Sequence, residues 1–416
     1  MHRERRRPRG KRLCALDYRR SWRLGTGIAA VDPSTTPHSE EPGRNPWGGI
    51  SIMRYGKAML LGSVALFSVA TAAHAETYKP DCFAPAPGVT KSIQLPAKEG
   101  PFRVALVNGF AGNDWRINMI QAAKAWSALP DVKPDLKEFK VVSVGNDVAA
   151  QISAVDSLIA AGFDGIVINA VDPTSFGPVV KRAQKSGVAL LAFDNVLDTD
   201  AIVQLNESQT ELGAVKARDV VRRIGDKKNP KVLEVRGLPG NSVDRDNHNG
   251  MREVLDKVPG IQVVEVVGNW DTGTVQKVVA DAIATHGAFD GIVCQHGCAG
   301  AVRAMLDAKV PMAPLGGDAE NGTRMEMAAN NVPGISAGQV PAMAAIAMSE
   351  LIAELKGNAL PTMSFLPIPT VVSEDLKDGV NYFSNLPKTF YAATGFKSCG
   401  LEFTSEQILG QTPDNM

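Results

Sequence analysis

The sequence predicts an α/β protein of two lobes, each built on a parallel β-sheet that helices cover on both faces. From Phe102 to Leu306, short β-branched runs alternate with amphipathic helical stretches. Such regular alternation is typical of parallel sheets buried between helices. About seven of these units occur in the region, which is more than one open sheet comfortably holds, so we expect two sheets.

The individual elements follow from the spacing of apolar residues. Short apolar runs rich in β-branched residues predict buried strands. These runs are residues 103–107, 140–144, 165–169, 188–193, 231–235, 261–267 and 291–294. Between them the period becomes helical. Two helical faces stand out, one of Ile152, Val155, Leu158 and Ile159, the other of Val275, Val278, Val279, Ala282 and Ile283.

The chain is expected to cross between the lobes three times. We assign residues 101–205 and 340–368 to lobe 1, and residues 206–339 and 369–389 to lobe 2. A helix over 341–355 would then return the chain to the first lobe. Residues 76–100 form an N-terminal extension and residues 390–416 a C-terminal tail, expected to be an irregular strap.

Residues 53–75 have the three parts of a secretory signal peptide. Met53 is followed by the basic residues Arg54 and Lys57, an apolar run over 58–70, and an Ala-His-Ala cleavage signal over 73–75. The apolar run is shorter than the about 20 residues of a membrane-spanning helix. We therefore expect secretion and a mature chain that begins near Glu76. Residues 1–52 would come from a misassigned start, or else form a disordered, arginine-rich extension.

Four cysteines follow the signal peptide, and in an oxidising compartment they allow two disulfides. Cys82 and Cys399 flank the globular region, which favours a bridge between the two tails; two unrelated free thiols are the alternative. Cys294 and Cys298 are close enough for a local disulfide. The Cys-x-His-x-Cys pattern around His296 is a poor zinc site, because zinc needs a fourth ligand and usually wider spacing. No metal and no cofactor are expected.

Charge and motifs narrow the function classes. The chain has 44 basic and 44 acidic residues, so nothing attracts it generally to nucleic acid or to an anionic membrane. The region after the signal peptide has no G-x-S-x-G, G-x-x-x-x-G-K-[ST], H-E-x-x-H or G-x-G-x-x-G motif. We therefore predict a protein that is not an enzyme, and a secreted α/β enzyme is the weaker alternative.

Candidate ligand-binding residues follow the predicted strands, because open parallel sheets bind ligands beyond the carboxyl ends of their strands. Asn113, Trp115 and Arg116 follow the first strand, and Asp194 and Asn195 follow the fourth. A carboxylate beside an amide can accept from and donate to adjacent hydroxyls. For Asp194 and Asn195, turn formation remains the alternative interpretation.

The second lobe offers the same kinds of side chain at its strand ends. Tryptophan can stack on a sugar face, and arginine presents a planar set of donors that stays charged. For each residue alone, a plain surface position is the alternative. The candidates here are Arg245, Trp270, Gln295, His296, Asp318 and Gln339.

As an ordered series, these loops resemble the periplasmic sugar-binding proteins of ABC transporters, specifically the ribose-binding-like type I group. The resemblance covers about residues 102–387. It implies two Rossmann-like lobes joined by a three-crossing hinge, with the candidate residues named above holding a sugar. The first loop departs from the family's pair of phenylalanines, and the Gln295 loop is shorter than usual. The ligand's identity therefore stays open, and Arg116 leaves room for an acidic group.

The resemblance implies a periplasmic, monomeric solute-binding protein. It would capture a monosaccharide or related polyol by hinge closure and deliver it to the permease subunits of an ABC importer. The alternative within the family is a receptor that presents its ligand to a chemoreceptor or a sensor kinase. Neither role requires nucleic acid, a membrane-embedded segment or a cofactor.

Overall fold

The computed structural model of the chain describes Cys82 and residues 85–415. The predicted leader over 1–52, the predicted signal peptide over 53–75 and the expected start of the mature chain near Glu76 lie outside the described residues.

The described residues form short strands along the whole chain. In chain order they are β1 (Ser92–Ile93), β2 (Phe102–Asn108), β3 (Leu136–Ser143), β4 (Gly165–Asn169), β5 (Ala189–Phe193), β6 (Val203–Glu207), β7 (Lys231–Arg236), β8 (Gln262–Val267), β9 (Gly291–Cys294), β10 (Leu315–Gly317), β11 (Gly334–Ala337), β12 (Leu360–Pro361), β13 (Ser364–Leu366), β14 (Thr370–Val372), β15 (Gly395–Phe396) and β16 (Leu401–Glu402).

Helices alternate with the strands. They are α1 (Asp114–Ser127), α2 (Val148–Ala160), α3 (Gly177–Lys185), α4 (Gln209–Ile224), α5 (Ser242–Leu255), α6 (Thr272–His286), α7 (Ala299–Asp307), α8 (Asn321–Ala329), α9 (Met343–Leu355) and α10 (Ser405–Leu409). Among the residues described, none of the helices is long and apolar enough to cross a membrane.

Two six-stranded sheets organise the fold. The first has the order β13-β6-β5-β4-β2-β3, and the second has the order β14-β11-β10-β9-β7-β8. All pairings are parallel except that of β11 with β14. This confirms the predicted α/β class with two mostly parallel sheets. We call the first sheet with α1, α2, α3 and α9 the first half, and the second sheet with α4 to α8 the second half.

Each sheet is covered on both faces. In the first half, α1 and α9 pack on one face in a core that includes Met119 and Leu351, and α2 and α3 pack on the other face. In the second half, α6 and α7 cover one face and α4 and α5 the other. Strands β4 and β5 are buried at every residue, which explains their uninterrupted apolar sequences.

Within residues 102–306, two strands differ from the apolar-run prediction because polar residues take part in them. β3 begins at Leu136, four residues before the predicted strand, since its exposed edge position tolerates polar side chains. β6 was not predicted, because its Gln204, Asn206 and Glu207 are polar yet buried. Two of these side chains are bonded locally: Asn206 Nδ2 donates to the Asp194 carbonyl oxygen at 2.9 Å, and Gln204 Nε2 to the Thr199 carbonyl oxygen at 2.7 Å.

The chain passes between the two sheets at three neighbouring places. β6 leads into α4, β11 leads into α9, and β13 leads into β14. At the second passage, Gly338 has a φ of +48°, and an added Cβ would lie 2.7 Å from the Leu212 side chain. Glycine is therefore required there by both its conformation and the close packing.

A C-terminal strap, residues 388–415, connects the second half to the first a further time. At its start, Lys388 Nζ lies 3.0 Å from Glu326 Oε1 in the second half. Near its end, the Gln411 carbonyl oxygen accepts from Gln121 Nε2 of α1 at 2.7 Å. The predicted irregular tail thus contains β15, β16 and α10, and its apolar residues join the core of the first half.

The structure pairs the four cysteines as two disulfides. Cys82 is bonded to Cys399 with a Cα separation of 5.3 Å, which ties the strap to the start of the described chain. Cys294 is bonded to Cys298 with a Cα separation of 5.8 Å. Both separations lie within the usual range for disulfides.

Candidate functional site

A cavity lies between the carboxyl ends of the two sheets, and side chains from both halves line it. The free space among its lining atoms, open solvent included, is about 290 Å³. Eight of the eleven predicted ligand-binding residues line it, together with Val243, which was not predicted. The lining residues are Asn113, Trp115, Arg116, Asp194, Asn195, Val243, Trp270, His296 and Gln339.

The first turn of α1 supplies three of the lining residues. Asn113 is the N-cap of this helix, and its Oδ1 accepts a hydrogen bond from the Arg116 backbone nitrogen at 2.9 Å. Such a cap satisfies an amide that the helix leaves unpaired. It also fixes the direction in which Trp115 leaves the helix. The Trp115 Nε1 donates to the Gln339 carbonyl oxygen at 3.3 Å, so the indole bridges to the passage between the halves.

Arg116 and Asp194 place opposite charges in the cavity wall. Both side chains are buried, and Arg116 Nη1 donates to Asn108 Oδ1 at 2.6 Å. Burial lowers the pKa of Arg116 to about 10, although the charge of Asp194 opposes this. Burial raises the pKa of Asp194 to about 6, against the opposing effects of Arg116 and of a hydrogen bond from Asn169. Near neutral pH the two charges therefore largely cancel.

Asp194 is held in an unusual backbone conformation at the end of β5. Its φ is +57°, a region that residues other than glycine rarely occupy. Its carboxylate accepts from Asn169 Nδ2 at 3.0 Å and from Gln339 Nε2 at 2.7 Å. Each oxygen thus has one donor and keeps further accepting capacity. Asn195 follows and donates from Nδ2 to the Ala170 carbonyl oxygen at 3.1 Å, so this amide also supports the loop.

Trp270 forms part of the opposite wall and rests on a glycine. Its φ is +56°, and its Nε1 donates to Gln295 Oε1 at 3.1 Å. A Cβ added at Gly237 would lie 1.8 Å from that Nε1, so only glycine permits this position of the indole. Gln295 therefore lies behind Trp270. It supports the indole and, in contrast to the prediction, does not line the cavity.

His296 reaches the cavity beside the C-terminal strap. Its Nδ1 lies 2.9 Å from the Tyr391 hydroxyl, and the two rings are stacked with centroids 6.1 Å apart. Burial is the main cause that lowers the pKa of His296, so the imidazole is neutral at pH 7. Because Tyr391 occupies Nδ1, the ring orientation is fixed and Nε2 remains available for a ligand.

Asp318 does not line the cavity, in contrast to the prediction. Its Oδ2 accepts from the Cys298 backbone nitrogen at 2.9 Å and its Oδ1 from the Glu320 backbone nitrogen at 3.0 Å. These bonds direct the carboxylate into the loops behind His296. Burial and the nearby carboxylates of Asp318 and Asp114 raise the pKa of Glu320. Glu320 therefore holds a proton in this form of the protein.

Arg245 also lies outside the cavity, and its position on α5 explains why. The helix is capped by Asn241 and turns by about 100° per residue. Val243 faces the cavity, and two residues later Arg245 points away from it. Its guanidinium contacts Asp246 Oδ1 at 2.7 Å and Asp198 Oδ2 of the first half at 2.9 Å. Arg245 thus joins the two halves through a partly exposed ion pair.

Two residues of the site were not identified from the sequence. Val243 is an apolar residue within a loop scanned for polar and aromatic side chains. Tyr391 lies in the C-terminal strap, almost a hundred positions from its partner His296, and it follows none of the predicted strands. No local sequence signal distinguishes Tyr391 from the other aromatic residues of the tail.

A family model described as a periplasmic binding protein domain matches residues 104–359. The chain belongs to this family. A xylitol-binding protein of Mycolicibacterium smegmatis is 28% identical over 249 residues, which are 58% of this chain and 70% of that protein. A D-ribose/D-allose-binding protein of Pseudomonas aeruginosa is 26% identical over 180 residues, which are 41% of this chain and 54% of that protein.

Solved structures of periplasmic binding proteins have the same fold. An ABC transporter solute-binding protein from Thermobispora bispora matches with a TM-score of 0.63 and 25% identity, covering 74% of this chain and 94% of that one. A periplasmic solute-binding protein from Actinobacillus succinogenes with bound D-allose matches with a TM-score of 0.58 and 20% identity, covering 65% and 98%. The predicted type I architecture and the predicted resemblance are both confirmed.

Proposed function

We propose that this protein binds a small neutral polyol or monosaccharide between its two halves and delivers it to an ABC importer. The observation that carries the proposal is the cavity, in which two tryptophans and a set of hydrogen-bonding side chains from both halves converge. An apolar surface with a few well-placed polar groups is the usual composition of a small-molecule site.

The chemistry of the cavity favours hydroxyl groups. Asp194 can accept, Asn113 and Gln339 offer amides, and the neutral His296 offers a ring nitrogen. Trp115 provides an indole surface for the C–H groups of a sugar or polyol. Vicinal hydroxyls on a short carbon skeleton satisfy this combination of acceptors, donors and apolar surface.

Charge balance favours a neutral ligand over an acidic one. Arg116 alone would leave room for a carboxylate. However, Asp194 lies within its electrostatic reach, and both groups are charged near pH 7. A sugar acid would therefore bring an additional negative charge into a buried site whose own charges already cancel, and this is unfavourable.

The names of the relatives agree with this ligand class. The two relatives described above are named for xylitol and for D-ribose and D-allose. A solved structure from Bacillus halodurans contains myo-inositol and has 17% identity. These names support a polyol or a monosaccharide as the class, and they leave the individual compound to experiment.

Binding would proceed by closure of two lobes, with residues 101–205 and 340–368 in one and residues 206–339 and 369–389 in the other. In the present form, Arg245 pairs with Asp198 of the opposite half. Gln339 Nε2 contacts Asp194 at 2.7 Å from the passage between the halves. The ion pair between Arg245 and Asp198 forms only when the halves are close together. It supports a closed state that the importer's permease subunits would distinguish from an open one.

Export is part of the proposal. The features over 53–75 are those of a signal peptide, and two disulfides suit an oxidising compartment. We expect a monomeric, non-enzymatic protein in the periplasm whose mature chain begins near Glu76. Mass spectrometry of the protein from the periplasmic fraction would test this. A mature protein that starts before residue 53 would contradict it.

A thermal-shift screen tests the ligand class. The mature protein is scanned with pentitols, pentoses, hexoses, inositols and the matching sugar acids. A true ligand at a hundredfold excess over Kd stabilises the folded form by about 2.7 kcal/mol. We expect a shift with at least one neutral compound and a smaller shift with its acid. Shifts only with sugar acids, or turnover of a bound compound, would contradict the proposal.

A further inference from the structure

We propose a divalent metal site in the second half, formed by Glu234 of β7, His248 of α5 and Glu265 of β8, with zinc as the fitting ion. One ligand atom from each of the three residues lies within 4.8 Å of the others. None of the three residues lines the cavity, so the inference does not depend on the proposed function. It departs from the expectation, drawn from the sequence, that no metal is bound.

Sheet register brings the two carboxylates together. Glu234 and Glu265 are paired residues of the parallel strands β7 and β8, so their side chains share one face of the sheet. Adjacent like charges on one face are destabilising. The face they share is the one covered by α5, because Val232, two residues before Glu234, packs there with Met251. A cation between the two carboxylates would remove the repulsion.

Glu234 is a buried carboxylate with an unsatisfied oxygen. Its side chain is 0% exposed. Oε1 lies 2.7 Å from His248 Nδ1, whereas Oε2 has no hydrogen-bond partner. Burying a carboxylate is costly unless both oxygens are paired or coordinate a metal. The unpartnered oxygen is a second observation, beside the clustering, that a bound cation would account for.

The local charges leave room for one divalent cation. Arg236 contacts Asp244 at 2.6 Å and Glu265 only at 3.7 Å. Arg252 contacts Asp256 at 2.6 Å and Glu265 only at 3.8 Å. Each arginine thus has a closer aspartate partner. Both arginines also form longer ion pairs with Glu265, but with both glutamates ionised the group of two arginines, two aspartates and two glutamates carries a net charge of −2, which one divalent cation would balance.

The types of ligand atom and the partial exposure of His248 and Glu265 suit zinc. Zinc binds imidazole nitrogen and carboxylate oxygen at about 2.0–2.2 Å, which places neighbouring ligand atoms of a tetrahedral site roughly 3.3 Å apart. The ligand atoms now lie up to 4.8 Å apart, so the site would have to contract by up to about 1.5 Å. Glu265 can supply this, because its side chain is 42% exposed, and His248, 22% exposed, leaves a path for the ion and a water. The bound ion would join α5, which carries Val243 of the cavity, to β7 and β8.

Isothermal titration calorimetry with zinc chloride tests the site. The full secreted protein is used without an affinity tag and after removal of metals with a chelator. We expect one zinc ion per chain, and a higher melting temperature in saturating zinc. His248→Ala should abolish this binding, whereas His286→Ala, on the exposed end of α6, should leave it unchanged.

A second variant keeps the test decisive if His248→Ala folds poorly. Glu265→Gln changes a partly exposed side chain and should fold normally. It should weaken zinc binding by more than the about 10- to 100-fold that loss of an outer-shell partner costs. Cobalt as a substitute should give the visible absorption of a four-coordinate ion in the wild type only. Absence of zinc binding, or equal affinity in the wild type, His248→Ala and Glu265→Gln, would overturn the proposal.

Discussion

Replacing Asp194 with asparagine should weaken ligand binding strongly while leaving the fold intact. The Asp194 side chain is buried, and its two oxygens accept from Gln339 at 2.7 Å and from Asn169 at 3.0 Å. Asparagine retains one acceptor oxygen only, so one of these donors loses its partner. The positive charge of Arg116 also loses its counter-charge, and a ligand hydroxyl loses a charged acceptor.

The expected magnitude follows from the bond that the ligand loses. A hydrogen bond to a charged group is worth about 1.5–3 kcal/mol, so Kd should rise roughly 13- to 160-fold at 25 °C. Calorimetry with the compound identified by thermal shift measures the change. Asp147→Asn is the matched control. Asp147 is exposed after strand β3 of the same sheet and caps α2, and asparagine caps a helix equally well.

The same variant should alter the pH dependence of binding. Burial raises the pKa of Asp194 to about 6, and hydroxyl donors favour the ionised carboxylate. In the wild type, affinity should therefore be full above that value and fall as the pH drops through it. Asp194→Asn should lack this dependence. A change in Kd below about threefold, or an equal change in Asp147→Asn, would refute the assignment of Asp194 to the ligand.

Four further predictions follow from particular contacts. Tyr391→Phe keeps the ring stack but removes the hydrogen bond to His296, worth about 0.5–1.5 kcal/mol; calorimetry should show a roughly 2- to 13-fold weaker Kd and an altered affinity-pH profile, and wild-type behaviour in both would exclude a positioning role. Arg245→Ala removes a partly exposed ion pair worth at most about 1 kcal/mol, so Kd should rise less than about fivefold; complete loss of binding would mean that Arg245 contacts the ligand. Glu320 takes up a proton on folding because its pKa is raised, so its contribution to the free energy of unfolding falls as the pH rises. Glu320→Gln should therefore raise the melting temperature increasingly from about pH 5 to pH 8. An effect that does not vary with pH would contradict this. Cys399 should be disulfide-bonded in the secreted protein; peptide mapping without reductant should recover it linked to Cys82, and a free thiol there would disprove the pairing.

Much of the lining of the cavity was predictable because the carboxyl ends of parallel strands meet at the same edge of a sheet. Trp115, Asp194 and Trp270 lie far apart along the chain, yet each lies within a few residues after a strand whose carboxyl end meets the cavity. The apolar runs locate those strands, and the parallel topology brings the residues after them to the edge of the sheet where ligands bind. Residue types then favoured a ligand that combines hydroxyl groups with an apolar face.

The cavity lining differs from the predicted set where the side-chain direction within a turn decides which residue faces the cavity. Arg245 and Val243 belong to the same first turn of α5, and only the helix phase puts Val243 in the cavity. Gln295 and His296 are neighbours whose side chains diverge, one toward the Trp270 indole and the other toward the cavity. A strand-end pattern locates a loop but does not say which of its residues face the ligand.

Apart from the bridge between Cys82 and Cys399, two long-range groupings of side chains could not be predicted from the sequence. Tyr391 reaches His296 because the strap crosses from one half to the other, and no periodic pattern marks that path. The cluster of Glu234, His248 and Glu265 depends on the register of two strands and the packing of a helix over them. Neither the register nor the helix packing that brings these side chains together has a signal in the sequence.

A crystal structure with the compound selected by thermal shift tests the central claim most directly. We expect the ligand in the cavity between the halves, with Asp194 accepting from its hydroxyls and the indoles of Trp115 and Trp270 against its carbon skeleton. A ligand bound elsewhere on the molecule, with this cavity containing only water, would contradict the account.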